Sequence, residues 1–512
     1  MQHGLHSLKT ATSRPLHLLG SPVKVKAVLF LVMFNLAAVA QSGDAPQAPE
    51  SRSVDTTQIA AWLVGGASSS GLARMVADRG LANLPTNSEL RQLETLGAGK
   101  DLIRVLSSGK VQSARIGRPI PAVLLKAAGD TRQQHFREAE SDLRELLTAD
   151  DHNSALHFAL SFIFRQQEEW DEAFDELEQA TRLMPDLSEN HCATAYLFYR
   201  LDDGPNAIAE ARTALSLDPQ NAEAYQYLGL GLYSSYQYAA AVHAYAEALA
   251  RDPGNADTYY DMGIAIHADG NLPQAIAAYT QAIRLRPAFW EAHSNLALVL
   301  HEQGNLPQAE AEYLEAKRIA PGEPSIRNNL ANTYCDRGKY DAAIEELRAL
   351  YSQHPEWQKG HACLASAYLA KKNYEAAVQE LRLAVQQNPT GSNEHRVLGQ
   401  ALMLNDKPDE ALRELQLAVS LDPDSDFSHH LLGTVFYQQQ QLQAAEKEFR
   451  EAVRLKGTAD NHFSLAACLM SMNRNQEALA ELEIASRLDP ERLLYRARRE
   501  ELLKLMKETD SR

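Results

Sequence analysis

Through most of the chain, apolar residues recur at helical spacing in short blocks. Polar breaks containing glycine or asparagine interrupt them, such as ADGN at 268–271 and EQGN at 302–305. Two blocks around one break predict a helix–turn–helix unit, and the units share one register. Prolines stand at Pro185, Pro219, Pro253, Pro287, Pro321, Pro355, Pro389 and Pro423, each 34 residues after the last. The next step lands on Gly457, a step one residue shorter lands on Pro490, and one step back from Pro185 lands on Asp151. Twelve residues before each mark is an alanine, from Ala139 to Ala478. Twenty-four before is a small residue, from Ala127 through Gly229 and Gly263 to Ala466. The small residue and the alanine let two helix axes approach. The proline cannot continue a helix and starts the turn to the next unit. One helical hairpin cannot bury its apolar stripe alone, so the units must stack.

In these columns the chain resembles the tetratricopeptide repeat family, and WEAHSNLALVLHEQGNLPQAEAEYLEAKRIAP at 290–321 follows its pattern almost throughout. The resemblance implies an all-α fold, a right-handed α-solenoid of about eleven 34-residue repeats over 120–492. The first unit is degenerate, with Asp130 where others place Phe or Tyr and Asp151 in place of proline. Residues 493–512 carry Leu493, Leu494, Leu502, Leu503 and Met506 at helical spacing among charges, as a capping helix and tail require.

Two segments precede the stack. Residues 57–108 read as four short helices punctuated by glycines and Ser/Thr/Asn caps. They resemble a small helical module found before such repeats in exported bacterial proteins, and are expected to form a separate compact module joined through a linker at 109–119. Residues 27–40, AVLFLVMFNLAAVA, follow Lys24 and Lys26 and end in Ala38-Val39-Ala40. This is the pattern of a signal peptide over 1–40, followed by a flexible linker at 41–56. The expected location is therefore the periplasm or outside. The alternative is an uncleaved anchor at 27–40 in the inner membrane. No later stretch is apolar enough to span a membrane.

Charge narrows the partners. The chain has 50 basic and 67 acidic residues, and residues 1–40 hold four of the bases and no acid. Without them the balance is 46 against 67, a net −21, which argues against nucleic acid or an anionic membrane.

Candidate chemistry is sparse. His157, His191, His293, His361, His395, His429 and His462 share the fourth repeat position, which Tyr225, Tyr259 and Arg327 fill elsewhere. Equivalent positions on stacked helices lie about 8–10 Å apart, whereas zinc holds its ligands at about 2 Å. The column therefore reads as a flat packing residue, and no metal or other cofactor is expected. Cys335 and Cys363 fall at the twelfth and sixth positions of neighbouring units. Six helical residues amount to about 9 Å of axial offset, too far for a disulfide, so these two, Cys192 and Cys468 read as packing residues. No nucleophile, base and orienter assemble, so no enzyme is expected.

In the family, the second, fifth, ninth and twelfth positions of the first helix, with some sixth positions, tend to face a ligand in the concave groove. Here they give Phe158, Phe162, Tyr196, Tyr199, Tyr233, Tyr260, Ile264 and His267, with Tyr227 at a sixth position. Further along they give Asn295, His301, Asn328, Asn329 and Asn332. Aromatics supply contact area with a polar tip, and asparagine can bond a peptide backbone. Asn295 and Asn329, both at sixth positions, resemble the asparagine ladder some members use for extended peptides. The Lys/Arg/Asn clamp for a terminal carboxylate is absent, since the second and fifth positions are mostly Glu, Asp or aromatic. The leading expectation is a non-catalytic scaffold binding a protein or extended peptide. The alternatives are a carbohydrate-binding or enzyme-associated accessory protein, and a self-associating structural oligomer.

Overall fold

The computed structural model describes residues 53–108 and 119–510. The expected signal peptide, most of the 41–56 linker and nearly all of the 109–119 linker lie outside the described residues. The chain forms two compact units, one ending at Val299 and one beginning at Leu300.

The first unit opens with α1 (Thr56–Val64), α2 (Ser69–Arg79), α3 (Asn87–Thr95) and α4 (Lys100–Ser108). Helical hairpins follow: α5 (Ala122–Arg132) with α6 (Phe136–Ala149), α7 (Ser154–Gln166) with α8 (Trp170–Leu183), α9 (Ser188–Arg200) with α10 (Gly204–Leu217), α11 (Ala222–Ser234) with α12 (Tyr238–Arg251), and α13 (Ala256–Ala268) with α14 (Leu272–Leu285). Next in the chain are α15 (Trp290–Glu302) and α16 (Leu306–Ile319). The second unit pairs α17 (Pro324–Asp336) with α18 (Tyr340–Gln353), α19 (His361–Ala370) with α20 (Tyr374–Gln387), α21 (Ser392–Leu404) with α22 (Pro408–Leu421), α23 (Asp426–Gln438) with α24 (Leu442–Leu455), and α25 (Ala459–Ser471) with α26 (Asn475–Leu488). Against α26 lies α27 (Leu493–Asp510). The fold is an all-α solenoid of helix–turn–helix repeats.

The repeat columns have visible causes. A Cβ added at Gly229 would lie 2.5 Å from the Tyr245 ring, and one at Gly263 would lie 2.7 Å from Tyr279. The small position is the seat for a large side chain of the second helix, sixteen residues on. Each hairpin turn needs one left-handed residue: Gln134, Glu168, Asp202, Tyr236, Gly270, Gly304, Gly338, Lys372, Asp406, Gln440 and Asn473, with φ from 56° to 85°. In α27 the buried side is carried by Tyr495 and Leu502, while Leu493 is 72% and Leu494 53% exposed.

The histidine column is a ladder of histidine–carboxylate hydrogen bonds. His157, His191, His361, His395, His429 and His462 each place Nδ1 2.5–2.7 Å from the carboxylate nineteen residues on: Glu176, Glu210, Glu380, Glu414, Glu448 and Glu481. In four of these, Nε2 lies 2.9–3.2 Å from the carbonyl of Asp151, Pro185, Pro389 or Pro423. Both neighbours can accept, so each of these four rings has a hydrogen-bond partner at both of its nitrogens. Arg327 fills the same rung with Glu346 at 2.9 Å. For His157 and His191, burial pulls the pKa down, but the Glu hydrogen bond, the carbonyl and the carboxylate charge outweigh it and leave the pKa raised. A raised folded pKa gives stability that is complete below the unfolded value and lost as pH rises through the folded one. Replacing Glu176 and Glu210 by Gln is therefore expected to cost about 1–2 kcal/mol per pair near pH 6 and less at pH 9. Thermal melting across that range checks it, and an equal deficit at both ends means the pairs are uncharged.

One expectation is overturned. Cys335 and Cys363 form a disulfide, with Cα atoms 6.2 Å apart. An axial offset of that size holds only where both helices start at equivalent repeat positions. The helix of Cys363 begins only at His361, after an unwound stretch ending at Gly360 with φ 101°. Its first turn lies beside the last two turns of α17, with Cys363 Sγ 3.4 Å from the Ala331 carbonyl oxygen. Cys192 and Cys468 are free and buried.

Candidate functional site

The first helices of neighbouring repeats touch, as α9 does α11 and α11 does α13. Onto the early ones the four N-terminal helices are docked. They are not a separate module with its own core, because Ile59, Trp62, Leu72 and Leu93 share one apolar cluster with Leu124, Phe158, Ile163 and Leu177. The chain is already ordered before residue 57: Val54 is fully buried and bridges Leu81, with Val54 N–H donating to Gly80 O at 3.1 Å and Ala82 N–H to Val54 O at 2.9 Å.

Local sequence builds this docking face. Asp55 and Thr86 close capping boxes on α1 and α3, and Ser68 caps α2. Gly65 ends α1 where a Cβ would meet the Phe158 ring at 2.6 Å. At Gly71 a Cβ would lie 1.9 Å from Glu189 Oε1. Two ion pairs fasten α2 to the repeats, Arg74–Asp218 and Arg79–Asp186, both at 2.6 Å.

Between Gly65–Ala67 and α7, α9 and α11 lies a cavity of about 180 Å³. Phe158, Phe162, Tyr196 and Tyr227 all line it. Phe158 is only 3% exposed, covered by the N-terminal helices. The Arg165 guanidinium stands 5.4 Å from the Phe162 ring centre and 5.6 Å from that of Tyr196. Tyr196 and Tyr227 lie 5.7 Å apart. Tyr199, Tyr227 and Tyr233 are half-buried and pack on a second cluster around Ile208, Leu230 and Tyr245. Tyr260 packs on Phe289 at 4.9 Å, and His267 is half-buried.

The asparagines are placed differently. Asn295 is 2% exposed, and its Nδ2 donates to the Tyr260 hydroxyl at 3.1 Å. In the second unit Asn328 is 8% exposed and donates to Asn329 Oδ1 at 3.2 Å, while Asn329 and Asn332 are half-buried. His301, in that unit, pairs with Asp336 at 2.7 Å.

Three carboxylates belong to the site and were not singled out by sequence. Glu189 is 4% exposed, its Oε1 has no hydrogen-bond partner, and burial pushes it up to about 7. Glu223 accepts the Tyr227 hydroxyl at 2.7 Å, and burial raises it. Asp261 accepts Gln226 Nε2 at 3.1 Å, and burial pushes it up to about 7. The signal was present: Glu189 and Glu223 are second positions, and Asp261 is the sixth position one repeat before Asn295.

The sequence model of the tetratricopeptide repeat family matches residues 131–187, 228–284, 260–324, 328–392 and 430–492. Among solved structures, MamA from Desulfovibrio magneticus RS-1 is 19% identical over 33% of this chain and 94% of its own, with a TM-score of 0.31. A tetratricopeptide repeat protein from Parabacteroides merdae is 18% identical over 49% and 98%, with a TM-score of 0.37. Yeast Tom70 is 13% identical over 75% and 96%, with a TM-score of 0.33. No curated relative matches.

Proposed function

Since the chain belongs to the tetratricopeptide repeat family, we propose that it is a non-catalytic interaction scaffold of the bacterial cell envelope, holding an extended peptide or partner protein along its first helices. The observation that carries this reading is the run of half-buried tyrosines Tyr196, Tyr199, Tyr227, Tyr233 and Tyr260 on α9, α11 and α13. Surface aromatics at this density supply contact area at low entropic cost. Export is supported by the apolar run at 27–40 and by the Cys335–Cys363 disulfide, which belongs to an oxidising compartment. Among the described residues no helix is long and apolar enough to cross a membrane.

The test is affinity for a partner peptide, first identified by pull-down with the full chain. Tyr233→Ala is expected to weaken binding by about 2 kcal/mol with a small change in melting. Tyr236→Ala, at an exposed turn, is expected to change neither. Undiminished binding by a folded Tyr233→Ala protein refutes this stretch as the binding site. Asn295→Ala is a poor probe, because it strips the Tyr260 hydroxyl of a buried partner.

A further inference from the structure

The carboxylates Glu189, Glu223 and Asp261 on α9, α11 and α13 differ from the glutamates of the histidine ladder. Glutamates of the ladder each face a histidine or arginine. Among the described residues Glu189, Glu223 and Asp261 make no ion pair. Arg74 is taken by Asp218 through two contacts of 2.6 and 2.8 Å. Arg165 shares the cavity with Glu189 and Glu223 but bonds neither, and its Nε has no acceptor. Asp257, beside Asp261, adds negative charge and is itself held by Arg286 at 2.5 Å. A carboxylate withdrawn from water without an ion pair is costly, and here three successive repeats each carry one, with the charge of Arg74 favouring ionised Glu189 and that of Arg165 favouring ionised Glu223 from a distance. On the same helices stand Tyr196, Tyr199, Tyr227 and Tyr233, rings of a kind that attract cations, and Tyr196 already has Arg165 and Arg200 at 5.6 and 5.9 Å from its centre. The cavity at one end, of about 180 Å³, has room for one long side chain.

We propose that this stretch selects a basic peptide, seating lysine or arginine side chains between the tyrosine faces and the carboxylates of Glu189, Glu223 and Asp261, while Arg165 Nε offers a donor to a peptide carbonyl. The proposal rests on the groove reading above and names the chemistry of its ligand. It fits an acidic protein, for which an acidic or neutral peptide gains nothing from these groups.

The experiment uses the full chain and three labelled peptides of one sequence: lysine-containing, with every lysine acetylated, and with glutamate in place of lysine. The lysine peptide is expected to bind at least about tenfold tighter than either other, equivalent to about 1.4 kcal/mol, and to weaken with salt. Asp261→Asn and Glu223→Gln are each expected to reduce that preference several-fold, in proteins whose melting does not fall. Equal affinity for the lysine and acetyl-lysine peptides overturns the proposal. If that equal binding is still lost in Tyr233→Ala, the groove reading survives without it. Tighter binding of the glutamate peptide also overturns it, and binding of none of the three overturns both readings. The comparison among peptides uses the parent protein, so it stands even where a variant fails to fold.

Discussion

Replacing Cys335 and Cys363 together by serine is expected to destabilise the chain by about 3–4 kcal/mol, the loop-closure value for a crosslink of this span. The sequence separation is 28 residues. Repeat stacks distribute stability through nearest neighbours, so the loss should be local. Hydrogen exchange should show protection falling first in α17 to α20, with α23 to α26 less affected. Reductant should give the parent the same loss. Alkylation of the denatured, unreduced protein should modify two thiols, Cys192 and Cys468, and reduction should expose two more. A double-serine variant that melts with the parent would falsify the stabilising role, and four free thiols in protein taken from cells would remove one support for export.

The second large effect is expected at Gly71. Any side chain there must displace the Glu189 carboxylate, which a Cβ would meet at 1.9 Å, and the Ser68 hydroxyl at 2.7 Å. Both are ends of flexible side chains that can swing aside for a lone Cβ, Glu189 toward the cavity it lines, so the substitution that tests the contact is a full leucine. Gly71→Leu is expected to push α2 off the repeats at a cost of about 1–3 kcal/mol or more. The Arg74–Asp218 and Arg79–Asp186 pairs should open together. Hydrogen exchange should then rise in α1 to α4 but not in α11 to α14. Cys192, 2% exposed beside the cavity, should become reactive to thiol reagents. Gly129→Ala is the control: nothing lies within 4 Å of its added Cβ, and it sits inside α5. If Gly71→Leu leaves Cys192 protected, the N-terminal helices are held by other contacts.

What the sequence made legible was whatever recurs. Proline, alanine and the small residue each answer a local demand repeated every 34 residues, so the columns located helices and turns without any long-range information. Non-recurring features escaped. The disulfide depends on the late start of α19 at His361, and a register built on prolines does not carry helix starts. Docking of the N-terminal helices depends on Gly65 and Gly71 meeting Phe158 and Glu189, pairs separated by some hundred residues with no pattern to betray them. The histidine partners are legible in principle, since a glutamate stands nineteen residues after each of the six, but the pairing joins two columns and neither column alone carries it. At the candidate site the aromatics were read correctly as residues of the first helices. The acids among them enter the sequence reading only as the absence of a basic clamp, and the hydrogen bond from Asn295 to the Tyr260 hydroxyl joins two repeats, which no single column displays.

The left-handed turn residues bear on engineering. Eight of the eleven are not glycine, and Gln134, Glu168, Asp202, Tyr236, Lys372, Asp406, Gln440 and Asn473 are all exposed. Each carries a Cβ in a conformation that costs an ordinary L-residue about 1–2 kcal/mol, offset in part by the entropy a glycine brings to the unfolded chain. The result is a thermostability reserve dispersed over the repeats at exposed sites, of which only Asp202 and Tyr236 directly follow residues of the tyrosine run. It can be drawn on one turn at a time, which makes the hairpin tips the natural first targets for hardening this protein without altering what it holds.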